Sequence, residues 1–386
     1  MIYFFNNTTV KCFHSVAVGI LILLHAVQPV FARVVELKSP LLISKSGQSE
    51  ANGTLSACPP RIRALKDMSD MYAFYVPDST MSVIDPQKMS DYSKKIWPIN
   101  EVKKVLSTLS VTALNGPDDT RKVARRCITA QISLWSENDA LLSGLENNNL
   151  LGHRQAILEI IWASIIFSNG YALANQISPL DYSGKEKADV WFSKLLPLIM
   201  AEFTPREREK KDQWLDARSN QWLWAGASVA SLAVLLNDRP AFEWSIDILK
   251  LALDEAPVDG TLPSELKRGQ RSLHYQNFAM AAISIMVATA DANGIQLSDK
   301  QEVKLKALAT FTADAFENPS IIEDKTGKTQ EKRASMITWA AALSLHFKVK
   351  DPSLSQRLKE LVIQAELSEK DFCSLVCVGA YLSQLE

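Results

Sequence analysis

From about residue 99 to the end of this 386-residue chain, apolar residues return every three or four positions, and turn-forming clusters punctuate them at intervals. Val102, Val105, Leu106 and Leu109 fall on one face of a helix, as do Val123, Ile128 and Ile132. The same spacing predicts further helices over about 153–176, 184–203, 218–236, 240–255, 270–293, 299–316, 331–347, 354–365 and 369–385. Between them lie NGPDD, ISPLDYSG, NDRP, APVDGTLP, ENPS and KDPS, whose prolines, glycines and short polar residues end helices. Almost nothing alternates with the period of a strand. About ten helices on short joints predict an all-α fold of stacked antiparallel pairs that close into a ring or superhelix. No fixed-period self-similarity supports a solenoid of identical repeats. A curved helical ring has a concave face, and a polymer can lie in it.

The N-terminal quarter reads differently. In residues 1–32, Lys11 precedes the apolar run SVAVGILILLHAVQPVFA, which ends in Val30-Phe31-Ala32 with small residues where a signal peptidase reads. We expect cleavage after Ala32, export to the periplasm or beyond, and no stable membrane association afterwards; an uncleaved anchor is the other use of such a run. No other segment reads as a span. Residues 33–98 are expected to be irregular, since CPPRIR, YVPDST and IDPQK interrupt any helix with proline. The NGT sequon at residue 52 and the charge run TPREREKKDQW at 204–214 read as surface features.

Export makes disulfides chemically reasonable. Past the leader four cysteines remain, and four allow three pairings. Sequence separation favours Cys58 with Cys127 and Cys373 with Cys377, the second pair being as readily free as bonded. No histidine stands at metal-ligand spacing from any of them, which argues against a zinc site. A formal net charge of −1 carries no signature of nucleic-acid binding, so a polyanion would have to meet a local basic patch.

One such patch is DGTLPSELKRGQRSLHYQNFAM, residues 259–280. Gly260 and Pro263 make a turn, and Arg268, Arg271 and Tyr275 then follow at spacings of three and four, which puts them on one face if the segment is helical. Guanidinium charge beside a phenol favours phenolate, so a lowered Tyr275 pKa is expected, giving a base that can afterwards act as an acid. A second stretch, from Ala217 to Lys250, opens a helix with Asn220, Gln221, Trp222 and Trp224. Amides there can hold a carboxylate and an indole can stack on a sugar, although a cap followed by core tryptophans fits the same letters.

Together these stretches resemble the periplasmic alginate lyases of the mannuronate-cleaving type. The likeness also runs through ACP at Cys58, WPINEVKK at 97–104, RRCITAQISLWSENDALL at 125–142, NDRPAFEW and EDKTGKTQ at 323–330. It implies a helical (α/α) toroid over 99–386 with residues 33–98 as an N-terminal segment and lid, and β-elimination from a 1,4-linked uronate. On that resemblance Tyr275 serves as base and acid, Arg268 supports its ionisation, and Asn220 and Gln221 face the substrate carboxylate. Arg271, Trp222 and His274 are substrate contacts, and Cys58 pairs with Cys127. The implied protein is a monomer acting on an acidic polysaccharide, with no metal or organic cofactor required. The sequence also departs from that family. Gln221 stands where the family carries a histidine, Met81 where its lid carries an arginine, and Glu146 near where it offers an aromatic pair to the sugar. An amide donates a hydrogen bond but neither takes a proton nor carries charge near neutrality. The alternative implied is an impaired homologue that binds or guides an acidic exopolysaccharide.

Overall fold

Asp85 accepts the backbone N–H groups of Gln87 and Lys88 at 3.0 and 3.1 Å and so starts the first helix, α1 (Pro86–Lys95). Pro86 sits in its first turn, where a missing N–H costs nothing. The irregular region therefore ends earlier than the prolines suggest. In this computed structural model residues 36–43, 55–76, 80–180, 184–204, 219–367, 371–382 and 384–385 are described. The leader, the sequon at residue 52 and nearly all of the 204–214 charge run lie outside them.

The ring is built from α2 (Trp97–Asn115), α3 (Asp118–Ser136), α4 (Leu150–Ile177), α5 (Lys185–Phe203), α6 (Asn220–Leu236) and α7 (Arg239–Glu255). After a short α8 (Pro263–Leu266) come α9 (Ser272–Ala292), α10 (Asp299–Glu317), α11 (Ser320–Thr326), α12 (Trp339–Lys350), α13 (Pro352–Gln364) and α14 (Val378–Leu382). Helices α2, α4, α6, α9 and α12 pack side by side as an inner ring, and each is backed by an outer partner, respectively α3, α5, α7, α10 and α13. Burial follows this division. The inner helices α4, α6 and α9 are buried nearly all round, whereas α7 buries only Ala241, Phe242, Ser245, Ile246, Ile248, Leu249 and Leu253, one stripe at helical spacing. Helix α14 closes the ring by packing on α2 and α12.

Two expectations about the helices are corrected. Helix α4 is long and apolar enough to cross a membrane, contrary to the reading that no segment past the leader is, but 83% of the relevant window is buried inside the ring. The helix expected over 369–385 is mostly turns, with only α14 helical among its described residues. Cys373 and Cys377 are bonded, with Cα atoms 3.8 Å apart. In a helix four residues advance by roughly 6 Å along the axis, so the bond and a helix exclude one another here. Cys58 is bonded to Cys127, which fixes the extended 55–76 segment to α3. Next to it Gln131 both donates to and accepts from the Ile62 backbone at 2.9 Å. That segment leads into a short hairpin, in which Val76 donates to Val83 O at 2.8 Å and Asp85 to Phe74 O at 2.9 Å.

Candidate active site

The turn before α9 is set by Gly260, whose φ of +75° suits glycine and where a Cβ would lie 2.2 Å from the Ala307 carbonyl oxygen. The Gln276 side chain straps this turn to α9, accepting from Leu262 N at 3.0 Å and donating to Gly260 O at 3.1 Å. From the other side Gln330, the last residue of EDKTGKTQ, accepts from Leu273 N and donates to Gly269 O, each at 2.9 Å. The basic segment is therefore held on both flanks. Arg268, Arg271 and Tyr275 do not share one continuous helix, because a 3-10 turn, Gly269–Arg271, precedes α9. That turn still brings them together: the Arg268 guanidinium lies over the Tyr275 ring, 3.6 Å from its centroid, and that of Arg271 lies 5.3 Å away.

The hairpin, part of the segment expected to be a lid, packs over this cluster. The Tyr75 hydroxyl is 2.5 Å from that of Tyr275 and accepts from Arg271 Nη1 at 2.8 Å, while Arg268 Nη2 donates to the Met81 carbonyl at 2.6 Å. Met81, at the position matched to a lid arginine, thus meets the site through its backbone. Tyr275 is 7% exposed, and its pKa is raised rather than lowered: burial is the largest cause, partly opposed by Arg268 and Arg271, with Tyr75 adding to the rise. This corrects the expectation of a ready phenolate. Under the lid Tyr275 is a neutral phenol, and the two guanidiniums support its ionised form without winning against burial.

Asn220 and Gln221 begin α6. Asn220 donates to Glu265 twice, from its backbone N to Oε1 at 2.8 Å and from Nδ2 to Oε2 at 2.7 Å. Glu265 is 1% exposed and its pKa is raised, burial exceeding the opposing hydrogen bonds from Asn220 and the charge of Arg268. This carboxylate links Asn220 to the Arg268–Tyr275 cluster. Gln221 Oε1, Arg268 Nε and Arg271 Nε are buried and carry no hydrogen bond. His274 stacks on Phe278 at 5.8 Å and its pKa is pushed down to about 3 by burial and then by Arg271, Arg333 and Arg268, so its ring is neutral. Trp222 is 1% exposed, which leaves its indole in the core with no face for a sugar and removes it from the expected contacts. Glu146 is exposed in the turn Leu145–Asn147.

Tyr75, Glu265 as a partner of Asn220, and a group on α1, α2 and α4 carry no signal in the sequence that marks them for this site. There Tyr92 donates to Glu159, Gln155 donates to the Tyr92 hydroxyl at 2.7 Å, and Lys103 pairs with Glu159 at 3.8 Å.

The family model for alginate lyases matches residues 77–322, from the lid to α11. The chain belongs to the alginate lyase family. An alginate lyase of Pseudomonas fluorescens Pf-5 is 28% identical over 234 residues, 60% of each chain. One of Cobetia marina is 29% identical over 258 residues, 66% of this chain and 64% of that one. The chain thus spans somewhat under two thirds of the length of these curated relatives. Among solved structures, a variant of alginate lyase A1-III complexed with a tetrasaccharide superposes with a TM-score of 0.62 at 18% identity, covering 76% of this chain and 79% of that one. An alginate lyase from Bacteroides ovatus gives 0.58 at 13% identity, covering 84% and 90%. At these identities the structures establish the toroid fold that the resemblance implied.

Proposed function

We propose that the protein is an exported polysaccharide lyase that cleaves alginate, or a related 1,4-linked polyuronate, by β-elimination. The observation that carries this reading is the buried Tyr275 hydroxyl set beneath Arg268 and beside Arg271, with the polymer relatives of the same family as its context. In the reaction the proton on C5, next to the carboxylate, is removed. Its electron pair forms the C4–C5 double bond, the C4–O bond breaks, and the leaving oxygen takes up a proton. One phenol can do both ends. As a neutral acid it is already charged with the proton the leaving oxygen needs. As a base it must ionise against burial, so the arginines matter most when substrate charge is developing beside them. Asn220, oriented by Glu265, and Gln221 donate to the carboxylate.

A second reading has its own observation. Both arginines are engaged by the lid, through Met81 O and the Tyr75 hydroxyl, and Gln221 adds no charge. A protein that binds or guides an acidic exopolysaccharide without cleaving it would tolerate that arrangement.

Tyr275→Phe separates them. It keeps the packing and deletes the proton-transferring group, so release of unsaturated product from polyuronates should fall by a factor of roughly 100 to 10,000. Full activity in Tyr275→Phe would refute the assignment, and a parent that binds a polyuronate yet releases no product would favour the binding reading.

A further inference from the structure

The Lys103–Glu159 pair is joined to Tyr275 by two independent runs of side-chain contacts. One runs from the Tyr275 hydroxyl to Tyr75, then through Phe74, whose ring is 4.6 Å from that of Tyr75 and 4.9 Å from that of Tyr92, and Tyr92 donates to Glu159. The other runs from Lys103 Nζ, 6.0 Å from the Trp162 ring, to Phe278 at 5.9 Å from Trp162, and from Phe278 to Tyr275 at 6.3 Å. The two runs meet at both ends. The pair therefore lies within the span of a short oligosaccharide whose reacting uronate sits at Tyr275.

The chemistry at that end differs from the chemistry at Tyr275. The Glu159 side chain is 4% exposed, and although Oε1 accepts from Tyr92, its buried Oε2 has no hydrogen bond, only the Lys103 charge at 3.8 Å. Close by, the Trp162 indole N–H is buried and donates to nothing. A buried acceptor and a buried donor left without partners are costly. Sugar hydroxyls can satisfy both kinds of group, since each gives one proton and takes another. A carboxylate only accepts, and Glu159 repels it while also neutralising Lys103, which would otherwise attract it.

Resting on the lyase reading above, we propose that Glu159 is a specificity-determining residue: with Lys103 and Trp162 it forms a subsite for a neutral, hydroxyl-bearing sugar next to the uronate at Tyr275. The favoured substrate class is then a polysaccharide whose 1,4-linked uronates are interspersed with uncharged sugars, and a polymer charged at every residue is second best.

The test compares hexamannuronate with a partially carboxyl-reduced hexamannuronate, using the parent, Glu159→Gln and Lys103→Met. Turnover is read from ultraviolet absorbance of the unsaturated product and binding from calorimetry. Glutamine keeps an acceptor for Tyr92, and Lys103, with 24% of its side chain exposed, can turn to water, so Glu159→Gln should fold. In the parent the reduced oligomer should show the lower KM. Glu159→Gln should lower KM and Kd for hexamannuronate by about tenfold, the scale of one charge-assisted hydrogen bond, with kcat changed little. Lys103→Met should not produce that gain. If Glu159→Gln leaves both oligomers unchanged, or shifts them equally, the subsite proposal is overturned while the lyase reading stands. If nothing is cleaved but the Kd values follow the expected order, the lyase reading fails and the subsite survives.

Discussion

Glu265 offers the sharpest test of how the site is held, because its carboxylate does three jobs from a position 1% exposed. It accepts Asn220 N at 2.8 Å, Asn220 Nδ2 at 2.7 Å and Ser264 Oγ at 3.1 Å. Ser219, the residue that precedes α6, makes no side-chain cap bond, so Glu265 supplies the cap from another segment. Glu265→Ala strands two buried donors of Asn220 at about 1–3 kcal/mol each. Against this stands the relief of no longer burying an ionisable group, the same burial that raises its pKa. The net loss should be about 2–4 kcal/mol, and about 1–2 kcal/mol for Glu265→Gln, which keeps one acceptor oxygen. The raised folded pKa also fixes the sign with pH. The carboxyl's contribution is fully present below the ordinary carboxylate range and is lost as pH rises through the folded value, so the deficit of Glu265→Gln should be larger in acid than at neutrality. Urea unfolding of parent and variants at both pH values measures this, and kcat on polymannuronate reports whether Asn220 has swung away. An alanine variant within about 0.5 kcal/mol of the parent, or a glutamine deficit that widens toward neutral pH, would refute the reasoning.

Gln221→His should raise kcat/KM on polyuronates, or shift the preferred one, by the equivalent of about 1–2 kcal/mol, because a donor that can become cationic is restored beside the substrate carboxylate; unchanged turnover on a panel of polyuronates counts against it. His346 is held between Asp291 at 2.8 Å and Glu302 at 2.9 Å, which raise its pKa against burial. Its clamp on α9, α10 and α12 is fully present below the ordinary histidine value of about 6.5 and is lost as pH rises through the higher folded value. Thermal melts across that range should show the parent losing stability while His346→Gln stays flat, and parallel curves would dismiss the clamp.

The ring was legible because burial in it is periodic and local. Val102, Leu106 and Leu109 are buried at the spacing that announced them, and the expected ends of α5 and α7 are within a residue of those observed. Errors arose where one residue type has two uses. Pro86 breaks a helix from the inside but starts one at its first turn, so α1 was hidden. Cys373 and Cys377 fit a helix by number and a closed turn by bonding, and the bond excludes the helix.

The site was legible only as far as one segment reaches. Arg268, Arg271, His274 and Tyr275 lie within eight residues, and their closeness needs no tertiary contact to be foreseen. The groups that decide their chemistry come from elsewhere. Tyr75 is 200 residues from Tyr275, and Asn220 is 45 from Glu265. That distance explains why the direction of the Tyr275 pKa was misjudged. Charge on neighbouring residues can be counted along a sequence, but the lid that removes water from the phenol cannot, and here desolvation is the larger effect. Trp222 fails for the same reason in reverse, since an aromatic at the mouth of a groove and one inside its wall share the same helical phase until the neighbouring helices are in place. On the lyase reading, the Tyr75 hydroxyl is thus one of the contacts that keep Tyr275 a neutral acid, and its displacement by substrate would remove one of the causes of the raised pKa.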